Sequence, residues 1–181
     1  MKRIVSAVLV LLALLVCSFA QTPDPAIEKA LLAAPRQMQA AATVIKWKSD
    51  FTYDTLRKGT NKLVCYERPT QSVQQPFSVE CTSLLNLERV AQSLKTETTD
   101  AKDRQAAFEA LERAGKWAKP EFGSVFYNMT GADAATARMH ATIAVPGATT
   151  KSFGLPEDGT QGGAWIMNAG TSAAHIMTPG H

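Results

Sequence analysis

Apolar residues recur with different periods along this chain, and each change of period predicts a new element. Residues 4–16 are almost wholly apolar. Asp24 followed by Pro25 has the form of a helix N-cap with proline at the first helical position. Ile27, Leu31 and Ala34 then share one helical face until Pro35 stops the run. Short β-branched and aromatic stretches follow: ATVIKW at 42–47, FTYDTLR at 51–57, KLVCYE at 62–67 and FSVECT at 77–82. These predict strands. In the second of them Phe51, Tyr53 and Thr55 fall on one face. Lys58, Gly59, Thr60 and Asn61 predict a hairpin turn, with glycine and asparagine available for positive φ. Residues 69–76 read as a polar loop.

The helical period then returns. Leu84, Leu87, Ala91 and Leu94 form one stripe, and TETTD interrupts it. A second helix is predicted over 100–114, with Ala107, Leu111 and Ala114 on one face, Phe108 beside them and Gly115 as C-cap. The last third alternates again. GSVFYNMTG at 123–131 reads as a strand. In RMHATIAV, Met139, Ala141, Ile143 and Val145 take one side, and Arg138, His140 and Thr142 the polar side. A Gly/Pro/Thr-rich loop at 146–163 leads to AWIMN and HIM. Strands, then helices, then strands predict a single α+β domain over 21–181, with a mostly antiparallel sheet and about three helices.

The N-terminus changes the compartment. Lys2 and Arg3 precede the apolar run, and Ser18 and Ala20 are small residues at −3 and −1 of a cut before Gln21. Residues 1–20 therefore read as a cleaved secretory signal peptide, and the protein as exported, periplasmic or extracellular. An uncleaved anchor is disfavoured because the run is shorter than the roughly 20 residues that span a bilayer. Lipidation of Cys17 is disfavoured by Val16 before it. Without the leader's Lys2 and Arg3, the 19 basic residues become 17 against 16 acidic ones. No basic block stands out, which argues against nucleic acid as a partner. No second segment is apolar enough to span a membrane. Cys65 and Cys81 remain, and an even pair in an exported chain predicts a disulfide.

The chain has no GxSxG elbow, no HExxH, no Walker loop and no GxGxxG after a strand. NMT at 128–130 is a formal glycosylation sequon. LRKGTNKLVCYERP, FSVEC, GSVFYNMTG and the final HIM together resemble a group of exported bacterial proteins of uncharacterised function. The matching residues are Arg57, Gly59, Thr60, Asn61, Cys65, Cys81, Met129, Gly131, His175 and Met177. Lys62, Val79, Glu80 and Ala174 depart from that pattern. The resemblance implies export and paired cysteines, and supplies no catalytic residue. Gly59, Thr60 and Asn61 could form a ligand loop, but a turn is the simpler reading.

Four methionines (Met129, Met139, Met167, Met177) and all three histidines lie after residue 127. A hairpin with Met167 opposite His175 would place Trp165, Met167, His175 and Met177 on one face. Thioether and imidazole suit copper, Cu(I) above all, so Met167, His175 and Met177 form a candidate metal site, with Met139 or His140 in support. The same face also reads as core. His140 reads as a solvated surface residue, and His181, after Pro-Gly, as a free end. Three functions compete. The first is a non-enzymatic exported domain, without cofactor, that binds a small molecule or an envelope component. The second is a periplasmic copper-binding protein. The third is a hydrolase with His175 as base.

Overall fold

The computed structural model describes residues 24–69 and 75–178. Residues 1–20, expected as a leader, most of the 69–76 loop and His181 lie outside the described residues. The chain opens with helix α1 (Pro25–Leu31), where the Asp24 carboxylate accepts the Ala26 N–H at 2.9 Å. A single-turn helix α2 (Arg36–Gln39) leads into strands β1 (Thr43–Trp47), β2 (Tyr53–Arg57), β3 (Leu63–Glu67) and β4 (Phe77–Ser83). A 3-10 turn (Leu84–Asn86) starts the helical segment, α3 (Leu87–Glu97) and α4 (Ala101–Arg113). Strands β5 (Val125–Gly131) and β6 (Arg138–Ala144) follow, then the single-turn α5 (Thr150–Phe153) and the short strands β7 (Trp165–Met167) and β8 (His175–Met177). The three helices expected are α1, α3 and α4; α2 and α5 each add four residues.

All eight strands form one sheet in the order β2-β1-β3-β4-β5-β6-β8-β7. The pairing is antiparallel except between β1 and β3. The fold is thus a single α+β domain with a mostly antiparallel sheet. Strand alternation sorts side chains onto two faces. On one face Val44, Leu63, Cys65, Phe77, Val79 and Cys81 are buried against Ala30, Ala33 and Ala34. Alanines at the contact let the helical segment approach the sheet closely. Cys65 and Cys81 sit opposite each other in the β3–β4 ladder and are disulfide-bonded, both fully buried. Cys81 Sγ lies 3.6 Å from the Ala30 carbonyl oxygen, so the bridge is sealed beneath α1. On the other face Leu87, Val90 and Leu94 of α3 pack on Ile45, Trp47, Val64 and Tyr66.

The turn expected at 58–61 has a different geometry. β2 and β3 are not hairpin partners, because β1 lies between them. The segment crosses the end of β1 and is wired to the loop before it. Thr60 N–H and Asn61 N–H both donate to the Ala41 carbonyl, at 2.8 and 3.0 Å. Asn61 Nδ2 donates to Met38 O at 3.1 Å, and Arg57 Nη2 to Gln39 O at 2.6 Å. Neither Gly59 nor Asn61 has positive φ. Gly59 is needed for closeness instead: a Cβ there would stand 2.3 Å from Ala41 O and 2.4 Å from Thr43 N.

Candidate functional site

Helix α3 covers β1 and β3, and α4 packs against α3. Between them and the exposed floor of β5, β6, β8 and β7 lies a cleft of about 650 Å³. Its floor follows from strand register. Tyr66 pairs with Glu80, Glu80 with Asn128, and Asn128 with His140, giving one lateral row across four strands. A second row runs Ala144, His175, Met167. The helical wall carries Arg89, Val90 and Ser93 from α3 and Gln105, Phe108, Glu109 and Glu112 from α4, with Trp117 and Pro120 beyond.

One end of the cleft is a buried charged chain. Tyr66 Oη donates to Glu80 Oε1. Arg68 Nη2 donates to Glu97 Oε1 at 2.6 Å, while Arg68 Nε lies 3.5 Å from Glu80 Oε2. Burial pushes the Glu80 carboxyl above its usual range, and Arg68 and Tyr66 only partly offset it. Burial opposes the Arg68 charge too, but Glu80 and Glu97 together outweigh it and raise the guanidinium pKa. The Tyr66 phenol is raised well above its ordinary value by burial and then by Glu80. Arg68 Nε is buried without a hydrogen-bond partner.

The other end is built around the β7–β8 turn. Glu112 Oε1 accepts the Ser172 N–H at 2.8 Å, and Oε2 accepts the Ser172 hydroxyl. These bonds hold the Glu112 carboxyl below its usual pKa. Arg89 Nη1 donates to Ala118 O at 2.7 Å and reaches Ser172 Oγ at 3.5 Å. The guanidinium lies 4.8 Å over the Trp117 ring, and Phe108 meets Trp117 edge-on at 4.9 Å. Burial lowers the Arg89 pKa to about 10, with Glu112 opposing, so it stays cationic at neutral pH.

The structure pairs Met167 with His175 and Trp165 with Met177. Met167, His175 and Met177 all line the cleft. Trp165 instead has its ring against Gly159, where an added Cβ would stand 3.2 Å from it. Met139 points to the opposite face from His140 and cannot join the trio. His140 does lie on the polar side of β6, but that side is the cleft floor. His175 Nδ1 is 2.8 Å from Ala173 O. A carbonyl only accepts, so the ring donates from Nδ1, and Nε2 has no hydrogen-bond partner among the described residues. The Nδ1 bond is the ring's one hydrogen bond among them, so His175, the residue expected as a hydrolase's base, has no hydroxyl or thiol bonded to it. No group of three or more His, Cys, Asp or Glu side chains among the described residues is placed to hold a metal ion. Asn128 of the sequon sits mid-sheet on the cleft floor, a poor place for a glycan. Arg89, Glu112, Ser172 and Trp117 were not singled out by sequence; their only signal was helix position and one aromatic. No helix among the described residues is long and apolar enough to cross a membrane. No protein-family model, no curated protein and no solved structure matches this chain.

Proposed function

We propose that the protein is an exported, non-enzymatic binding domain that takes one small organic molecule into the cleft between the sheet and helices α3 and α4. The observation that carries this reading is the cleft itself. Its volume of about 650 Å³ falls within the range of small-molecule sites, and aromatic walls face a floor of amide, hydroxyl and imidazole groups. The leader-like N-terminus and the buried disulfide support export to an oxidising compartment. The test is titration with Nile red, a neutral fluorophore. Saturable 1:1 binding is expected for the wild type and loss of binding for Thr142→Trp, which places an indole on the floor. Equal binding by both proteins, with unchanged circular dichroism, would sink the reading.

A second reading is a soft-metal site for Cu(I). It is favoured by the cross-strand pairing of Met167 with His175 and by the Nε2 of His175, which has no hydrogen-bond partner among the described residues. Met177 stands diagonally from Met167 on the same face, about 7–8 Å away by sheet geometry. Two thioethers and one oriented imidazole form a neutral, soft donor set. Anaerobic Cu(I) titration against a competing chelator tests it. If wild type and His175→Ala/Met177→Ala bind equally weakly, the metal reading fails.

A further inference from the structure

We infer that the molecule taken by the cleft is an amphipathic acid, whose carboxylate is held by Arg89 and whose apolar body lies against Phe108, Trp117 and Phe126; this rests on the binding reading above. Two arginines line the cleft, and their surroundings differ. Arg68 is neutralised, with Glu80 and Glu97 both within ion-pair distance. Arg89 forms no ion pair among the described residues. The carboxylate whose field reaches it, Glu112, lies beyond ion-pair distance, and both its oxygens are taken by Ser172.

Arg89 is also held in place before any ligand arrives. Its Nη1 is anchored to Ala118 O, one face of the guanidinium is covered by Trp117, and the stem belongs to α3. Among the described residues Nε and Nη2 have no hydrogen-bond partner. A planar fork with two free N–H directions, partly removed from water, matches a carboxylate in charge and geometry. Preorganisation lowers the entropy lost on binding. The apolar side chains next to Arg89 would bury a hydrophobic body, and the row of Asn128 and His140 lies at the far side for any second polar group.

The experiment compares 2-naphthoate with 2-naphthamide, isosteres that differ in charge, by calorimetric titration of wild type, Arg89→Gln and Arg89→Lys. Wild type is expected to prefer the acid at least tenfold, about 1.4 kcal/mol. Arg89→Gln is expected to lose that preference, binding acid and amide with equal affinity, and Arg89→Lys to keep part of it. Circular dichroism and the urea midpoint of each variant serve as the control for folding. Equal binding of acid and amide by wild type overturns the inference and leaves the binding reading standing. So does an acid preference that survives in Arg89→Gln, since another cation would then be responsible. If neither naphthalene compound binds, the inference falls, and Nile red decides separately whether the binding reading falls with it.

Discussion

Replacing both cysteines tests the fold's central joint. Cys65 and Cys81 face each other across β3 and β4, separated by 16 positions in sequence, and both are fully buried. Closing a loop of that length removes about 3 kcal/mol of unfolded-chain entropy in the loop-closure account. Cys65→Ala/Cys81→Ala also deletes two sulfur atoms packed under Ala30 and Ala33. Lost transfer and residual cavity add roughly 1–2 kcal/mol. The two contributions can be separated by urea unfolding of three species: oxidised wild type, wild type reduced in denaturant and refolded under reductant, and the double alanine variant. Reduction in denaturant is needed because the sealed bridge offers no access to a reagent. Oxidised and reduced wild type should differ by about 3 kcal/mol, seen as a Tm lower by roughly 6–12 °C after reduction. Reduced wild type and the alanine variant should differ by the smaller packing amount. The reduced chain should also show a larger m-value, since its denatured state is less compact. If oxidised and reduced wild type unfold within 1 kcal/mol (an order-of-magnitude threshold, about a third of the expected effect), the loop-closure reasoning is wrong here.

Gly59→Ala should cost about 3 kcal/mol or more, because the new carbon meets only backbone atoms. Gly115→Ala should cost only about 1–2 kcal/mol, since its φ of +63° is strained but nothing lies within 4 Å; denaturant midpoints compare the two. Arg68→Met should destabilise by about 3–5 kcal/mol by leaving Glu80 buried beside Tyr66 alone, and adding Glu80→Gln should recover more than half of that in urea titrations at pH 7. The Glu112 tie to the β7–β8 turn has a defined pH sense. Its folded pKa lies below the ordinary 4.5, so its contribution is present above that value and is lost as pH falls through the folded pKa. Ser172→Ala should move the Glu112 titration, followed by carboxyl NMR, upward towards 4.5, and an unmoved titration would refute the assigned cause.

The legible parts of this fold were those written in local period. The alternation in RMHATIAV places His140 and Thr142 together, and the spacing within AWIMN and HIM anticipates the Met167–His175 register seen in β7 and β8. Strand order was not legible at 58–61. A glycine that turns the chain and a glycine that admits a neighbouring backbone look the same in sequence, and Gly59 is the second kind. The cleft was hidden for a related reason. His140 read from sequence as solvent-facing, and nothing in FSVECT or GSVFYNMTG assigned Glu80 or Asn128 to a face. Their meeting as one row depends on register across β4, β5 and β6, and their partial cover depends on where α3 and α4 end. Arg89 differs from other helix-surface arginines only through Trp117 and Ala118, which lie 28 and 29 residues on in the chain.

The sheet's uneven cover divides the molecule into cooperative units of different strength. β3 is clamped by apolar layers on both faces, β4 by an apolar layer on one face and the buried Tyr66–Glu80–Arg68 chain on the other, and the two are cross-linked within the ladder. Among the described residues the β7–β8 hairpin pairs with β6 at Ile143 with Ile176 and Ala144 with His175, helped by backbone bonds around 145–148, a small cluster of Val145, Ala148, Ile166 and Ala174, and the Ser172 tie. Local opening free energies follow such differences in burial and bonding. Amide hydrogen exchange should therefore report the Ile176 N–H opening well below the global unfolding free energy, while Val79 exchanges only when the whole domain unfolds. A guest in the cleft would slow exchange at the hairpin first, which makes the amides of β8 a label-free gauge of occupancy.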